Sequence, residues 1–172
     1  MKKILILFIL VATNAVPAVA LARPGRQDSV EFRIVTPPTF TDGPAGVCAF
    51  TGVVPIVTED GKPLGLSTLC VETTDERFGP PYRFIEHGHE TLELPDGTLE
   101  LGITFVDTFN ADFTAAAHNA TGTVRSGTGR YTAASGSMTG HGVILFDASG
   151  TPHPHLSYHI ALSAPHRGES DA

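Results

Sequence analysis

Two His-x-His pairs are the residues of this chain whose spacing most resembles a metal site. His87 and His89 form one pair, and His153 and His155 form the other. On a strand, alternation directs both rings of a pair to one face, and Glu93 falls on the face of His87 and His89. Imidazole and carboxylate are common metal ligands, and cupin centres use a similar set. The opposite face is leucine-rich, however, so the histidines are expected to face solvent. We predict no metal and no cofactor, and a cupin-like metal-binding protein is the less favoured alternative.

Asp107 is the acidic residue whose position most suggests chemistry. If the strand before it continues unbroken, its carboxylate turns toward the apolar interior, where burial shifts a carboxyl pKa and creates an acid or base. If the strand ends near Val106, Asp107 lies in solvent, and both alternatives stay open. Tyr131 and Tyr158 each combine a hydroxyl with an apolar ring, which suits either a ligand pocket or the core. The predicted lining of an apolar pocket is Leu99, Leu101, Ile103, Phe105, Asp107, Tyr131 and Tyr158.

The other polar residues form no recognisable catalytic motif. No serine lies in a Gly-x-Ser-x-Gly elbow, and the glycines around Thr128 are not followed by a helix that could bind phosphate. A hairpin turn at residues 127–129 accounts for those glycines. The sequence therefore assigns no catalytic residue.

The elements that must position these residues are β-strands. Residues 98–105 and 156–163 alternate between apolar and polar side chains, and turn sequences occur at 60–61, 96–97 and 147–150. Eighteen glycines and thirteen prolines accompany them, and no long segment has a helical period. The sequence predicts an all-β fold, a single antiparallel and calycin-like barrel of about eight strands.

The start of the chain has the organisation of a cleavable secretory signal. Lys2 and Lys3 precede an apolar run, and Ala20 and Ala22 supply the small residues before a cleavage site at Arg23. The run is too short and too interrupted for a membrane anchor. We therefore predict a secreted or periplasmic protein. Its parts are a signal peptide at 1–22, a flexible segment at 23–29, a barrel at 30–164 and a flexible tail at 165–172.

The charge of the chain excludes some classes of partner. Loss of the signal, which holds Lys2 and Lys3 and no acidic residue, takes the formal charge from −7 to −9. Such a surface does not attract nucleic acid or anionic lipid. We expect no nucleic-acid partner and no membrane association after cleavage.

Cys48 and Cys70 are the two cysteines, and export would permit them to form a disulfide. If residues 60–61 centre a hairpin, Cys70 lies opposite Thr51, and three residues of strand, about 10 Å, separate that position from Cys48. Bridging requires Cα atoms within about 7 Å. The predicted Cys48–Cys70 disulfide therefore needs a longer loop or a bulge.

Three stretches of sequence carry a resemblance to a known family. The most specific is Gly-Thr-Gly-Arg-Tyr at 127–131, followed by a small-residue strand. Together, the order and spacing of the stretches over residues 42–146 resemble the allene oxide cyclase and dirigent barrel superfamily, in particular its exported bacterial members. The stretches are 42–44 with 59–65 and Cys70, 94–99, and 122–131 with 134–136.

The resemblance implies an eight-stranded antiparallel barrel with an apolar interior, usually a homotrimer. Members of the family cyclise an unstable fatty-acid epoxide or steer the coupling of phenoxy radicals. The polar pocket residues of the plant cyclase do not align with this chain, so none is transferred. Three functions fit: a barrel that binds or steers an apolar small molecule, an isomerase or cyclase of the allene oxide cyclase type, and a non-catalytic structural or interaction module packed solid. The first two require a cavity.

Overall fold

The computed structural model describes residues 29–44 and 46–163. The predicted signal peptide and the predicted tail at 165–172 lie outside these residues, as does the predicted segment 23–29 except for Ser29. Within the described residues the chain forms nine strands and one 3₁₀ turn, Gly129–Tyr131. The strands are β1 Ser29–Ile34, β2 Thr39–Asp42, β3 Phe50–Val57, β4 Pro63–Arg77, β5 Tyr82–Leu94, β6 Gly97–Phe109, β7 Ala115–Gly127, β8 Ser135–Phe146 and β9 Pro152–Ser163.

The strands form one antiparallel sheet that closes on itself. Their order is β1-β9-β8-β7-β6-β5-β4-β3-β2. Arg33 of β1 lies opposite Val57 of β3, so β1 and β3–β9 form a closed barrel of eight strands, and the short β2 pairs with the first half of β3. The predicted all-β, antiparallel, eight-stranded barrel is confirmed.

None of the helical structure in residues 29–44 and 46–163 is long and apolar enough to cross a membrane.

One end of the barrel, which we call the closed end, is filled by apolar side chains. The β3–β4, β5–β6 and β7–β8 connections lie there. Strict alternation along β6 buries one face of the strand, and equivalent positions on the other strands complete the core. The residues with no exposed surface are Ile56, Val71, Leu92, Leu99, Leu101 and Ile160.

The β7–β8 connection covers the closed end, and it is longer than the predicted hairpin turn at 127–129. Seven residues join the strands and include the 3₁₀ turn. Gly129 has a φ of +58°, and a Cβ there would lie 2.2 Å from the carbonyl oxygen of Asp96, so the close approach to the β5–β6 turn requires glycine. The turn places Tyr131 in the core. The hairpin between β7 and β8 lies where it was predicted, but its connection is longer, because glycines that serve a close approach look the same in sequence as glycines of a tight turn.

Cys48 and Cys70 form a disulfide with a Cα–Cα distance of 5.4 Å. The register of β3 and β4 places Thr51 opposite Cys70, as the hairpin at 60–61 predicts. Cys48 reaches Cys70 because the chain before β3 turns, with the amide of Cys48 donating to the carbonyl oxygen of Pro44. The turn thus supplies the loop that the pairing requires.

Candidate functional site

The other end of the barrel, the open end, contains a cavity of about 230 Å³. The β4–β5, β6–β7 and β8–β9 connections surround this end. Apolar side chains form most of the cavity wall, and five titratable side chains project into it. The apolar residues include Ile34, Val54, Leu69, Phe105, Ile144 and Leu156, and the titratable ones are Glu86, Glu90, Asp107, His118 and Tyr158.

A chain of hydrogen bonds joins three of these titratable groups. Nδ1 of His118 lies 2.7 Å from Oδ1 of Asp107, and Nε2 of His118 lies 2.9 Å from the hydroxyl of Tyr158. An ionised carboxylate only accepts, so Nδ1 of the imidazole donates to it; in the neutral ring Nε2 then accepts from the tyrosine hydroxyl. His118 is 6% exposed, so this orientation is fixed inside the barrel.

The register of the sheet explains how these residues meet. Asp107 and His118 are direct partners on β6 and β7. Tyr158 lies on β9, and its ring crosses β8 at Gly140, where a Cβ would lie 2.4 Å from Cδ1 of the ring. The ring of Phe32 stacks on the other side at 4.8 Å between centroids. A glycine on the intervening strand therefore lets the tyrosine hydroxyl reach the histidine.

Glu90 is a buried carboxyl with one unpartnered oxygen. The residue is 2% exposed, and the hydroxyl of Ser67 donates to its Oε1 at 2.5 Å. Its Oε2 is buried without a hydrogen-bond partner among the described residues. Burial raises the pKa of Glu90 to about 7, against smaller lowering effects of the Ser67 hydrogen bond and of His118. Glu90 thus exchanges its proton near neutral pH.

Glu86 is the second carboxyl with a perturbed pKa. It precedes Glu90 by four residues on β5 and therefore faces the same interior. Burial raises its pKa to about 7, the negative charge of Asp107 adds to this rise, and His118 opposes it. Two carboxyls near one apolar cavity are thus poised to donate or accept a proton at neutral pH.

Tyr158 behaves differently, because burial and the charges of Glu90 and Asp107 raise the pKa of its hydroxyl well above its ordinary value. The hydroxyl therefore stays protonated and acts as a hydrogen-bond donor rather than as a base.

Aromatic side chains cluster at the open end. Phe40 and Phe50 meet edge to face at 5.5 Å between ring centroids, and both line the cavity. On the opposite side Phe109 contacts three other rings, those of Phe84, Phe113 and Phe146. Phe40 is 53% exposed, so the cavity opens to solvent past an aromatic rim. An apolar or aromatic ligand would enter across this rim.

The structure brings three of the seven predicted pocket residues together at the cavity. Phe105, Asp107 and Tyr158 line it, and β6 extends to Phe109, so Asp107 lies within a strand and faces inward. Of the two alternatives for Asp107, the unbroken strand is therefore the one observed. The other four predicted residues are buried in the core and are absent from the lining of this cavity: Leu99, Leu101, Ile103 and Tyr131.

Sequence reasoning missed Glu86, Glu90 and His118, although the alternation of buried and exposed residues along their strands could have revealed them. Glu86 and Glu90 share the parity of Leu92 and Leu94, which form the leucine-rich face opposite His87 and His89. His118 lies between Ala116 and Ala120, both buried. In each case the polar residue occupies an inward position of an otherwise apolar face, which is the pattern that singled out Asp107.

The His-x-His pairs lie away from the cavity. Nδ1 of His87 lies 3.0 Å from the hydroxyl of Thr104, and Nδ1 of His89 lies 3.1 Å from a carboxylate oxygen of Glu72. His153 and His155 are exposed, and Nε2 of His153 lies 3.2 Å from Asp147.

Among the described residues, the one group with ligand atoms close enough to hold a metal is Cys48, Cys70 and His89, and its two sulfurs are joined to each other. A disulfide lacks the thiolates that bind metals.

The chain is structurally similar to dirigent proteins. It superposes on the pterocarpan synthase dirigent protein GePTS1 with a TM-score of 0.41 and 11% identity, covering 78% of this chain and 83% of that one. For the pterocarpan synthase dirigent protein PsPTS1 the TM-score is 0.43 and the identity 15%, covering 80% of this chain and 95% of that one. No family model matches the sequence. No curated protein matches it either. The function proposed below therefore rests on the residues of the cavity.

Proposed function

We propose that this barrel binds a small, largely apolar molecule in the open-end cavity and rearranges it by proton transfer, as an isomerase or cyclase would. The observation that carries the proposal is the placement of Glu86 and Glu90, two carboxyls with pKa values of about 7, in a cavity whose wall is mostly apolar.

The chemistry requires two proton transfers that balance. One carboxyl delivers a proton to an atom of the ligand, and another carboxylate removes a proton from a second atom. The composition of the ligand is then unchanged, as in an isomerisation or a cyclisation. A pKa near the working pH makes both steps accessible. The hydroxyl of Tyr158 donates its proton to Nε2 of His118, so it offers the ligand a fixed hydrogen-bond acceptor beside the carboxyls.

The shape of the open-end cavity would select the apolar part of the ligand. The rings of Phe40, Phe50 and Phe105 line the cavity, and apolar burial contributes about 25 cal/mol per Å². A volume of about 230 Å³ suits a molecule of one or two rings rather than a long chain.

The binding step can be tested with 1-naphthalenemethanol, a neutral fluorescent molecule of two rings. We expect saturable binding to the wild-type protein and loss of binding in Phe105→Glu, which puts a charge into the apolar wall. Thr108→Glu is the matched control, because Thr108 lies on the opposite face of β6 and should leave binding intact. Absence of saturable binding by the wild type, both of this alcohol and of the corresponding amine and carboxylate, would reject the proposal.

The proton-transfer step can be tested separately from binding. Glu90→Gln keeps the size of the side chain but removes the carboxyl that exchanges a proton, so uptake of 1-naphthalenemethanol should persist while any isomerisation of a bound substrate is lost. The competing function, a non-catalytic structural module, requires a barrel without room for a ligand, and the cavity of about 230 Å³ argues against it.

Export and self-association complete the proposal. The disulfide between Cys48 and Cys70 supports an oxidising location, secreted or periplasmic. Assembly as a homotrimer rests on the family resemblance of the sequence, and sedimentation analysis of the mature protein tests it: a monomer would reject it.

A further inference from the structure

We propose that the ligand of the open-end cavity is a small organic cation, a primary ammonium group on an apolar body, bound by Glu86, Glu90 and Asp107. This inference rests on the proposed function, because it names the ligand class of the same cavity.

The charge of the cavity lining favours a cation. Three carboxyl groups face the cavity, and among its lining residues, all of them in the described part of the chain, there is no lysine or arginine. The remaining titratable groups are His118, which is bonded to Asp107 and Tyr158, and Tyr158 itself. A protonated His118 would offset only one of the three carboxylates, so negative charge remains that the lining does not compensate and that a cation would.

Glu90 offers an unpartnered carboxylate oxygen to such a ligand. Its Oε2 is buried without a hydrogen-bond partner among the described residues and belongs to a side chain that lines the cavity. A buried carboxylate oxygen without a donor is unfavourable, and an N–H from a charged group is its strongest partner. A primary ammonium group supplies such donors, three to each nitrogen.

The aromatic rim suits both ends of such a ligand. Phe40 and Phe50 line the entrance, and Phe105 lies deeper, with its ring 5.2 Å from that of His118. The faces of aromatic rings attract cations, and the rings also bury an apolar body. The cavity thus places apolar surface at its mouth and along its wall and carboxylates within, which matches a molecule with an apolar body and a cationic end.

Protons compete with such a ligand for the same carboxyl groups. Glu86 and Glu90 face Asp107, His118 and Tyr158 across the cavity, and no other titratable side chain lines it. At acid pH the two glutamates are neutral and offer less attraction to a cation. As the pH rises through 7 they ionise, and the affinity for an ammonium group should rise with them.

The experiment compares three naphthalenes that differ in charge: 1-naphthylmethylamine, 1-naphthalenemethanol and 1-naphthoate. Dissociation constants are measured by fluorescence on the disulfide-intact protein at pH 6 and pH 8. We expect the amine to bind at least about tenfold more tightly than the alcohol at pH 8, since a charge-assisted hydrogen bond exceeds a neutral one by about this factor. Naphthoate should bind least, and the preference for the amine should shrink at pH 6.

Substitutions test which carboxyl group causes the preference for the amine over the alcohol. Glu90→Gln should lower the ratio of amine affinity to alcohol affinity about tenfold, whereas Glu93→Gln, exposed on the outer face of β5, should leave the ratio unchanged. The comparison of the three probes on the wild-type protein tests the cation inference even if a variant fails to fold. Equal binding of alcohol and amine, or tighter binding of naphthoate, would overturn the cation inference and leave the proposed function standing. Failure of all three probes to bind would overturn the proposed function itself.

Discussion

Glu90 should make the protein less stable as the pH rises, and Glu90→Gln should remove this effect. Burial raises the pKa of Glu90 from 4.5 to about 7. The folded protein therefore holds the proton of Glu90 more tightly than the unfolded chain does. The contribution of Glu90 to the free energy of unfolding is greatest below pH 4.5 and is lost as the pH rises to 7 and above. Each pKa unit corresponds to about 1.4 kcal/mol, which gives a loss of about 3 kcal/mol from this residue.

The glutamine variant isolates the contribution. Glutamine is neutral at every pH, and its amide oxygen can still accept the hydrogen bond from Ser67. At pH 5 we expect the variant and the wild type to have similar stability. At pH 8.5 the variant should be more stable, by up to about 3 kcal/mol or about 6–12 °C in melting temperature.

Thermal and urea unfolding at pH 5, 7 and 8.5, with the disulfide intact, provide the measurement. Glu93→Gln is the control on the same strand, and its pH profile should follow the wild type because Glu93 is exposed. A wild-type stability that is constant or rises between pH 5 and 8.5, with the same profile in Glu90→Gln, would show that Glu90 is not desolvated as the structure places it.

Two further variants and one measurement on the unchanged protein test other parts of the molecule. Gly140→Ala should displace the ring of Tyr158, since the new Cβ would lie 2.4 Å from Cδ1 of that ring. Urea unfolding should show a free energy of unfolding lower by about 1–3 kcal/mol, with Ser137→Ala on the outer face of β8 as the control. Loss of the disulfide in a Cys48→Ala, Cys70→Ala double variant should cost about 3 kcal/mol by the same assay, given a separation of 22 residues, and an unchanged urea midpoint would contradict this. N-terminal sequencing of exported protein should begin at residue 23; a retained first methionine would contradict the signal-peptide prediction.

The strands were predictable because alternation and turn residues are local. The buried face of β6 followed from its alternation, and Leu99, Leu101, Ile103 and Phe105 are buried as predicted. The length of each strand was not predictable, since a strand ends where pairing ends, and pairing depends on a neighbour distant in sequence. Asp107 faces inward because β7 pairs with β6 as far as Phe109.

Contacts between distant strands explain the part of the site that sequence did not reveal. Tyr158 meets His118 across β8, and this requires both the register of three strands and the absence of a side chain at Gly140. No spacing along the chain encodes that meeting. By contrast, Glu86 and Glu90 were accessible to the argument from alternation, because an acid at an inward position is visible once the buried face is known.

The destabilising effect of Glu90 and its proposed role have one physical cause. Desolvation disfavours the ionised carboxyl, which lowers the stability of the folded protein above pH 7 and also brings the pKa into the range where proton transfer is useful. The two effects cannot be separated by a substitution at this position. Any replacement that removes the loss of stability also removes the titrating group, so a Glu90 variant that is more stable at pH 8.5 should be the one that has lost proton transfer and its preference for a cation.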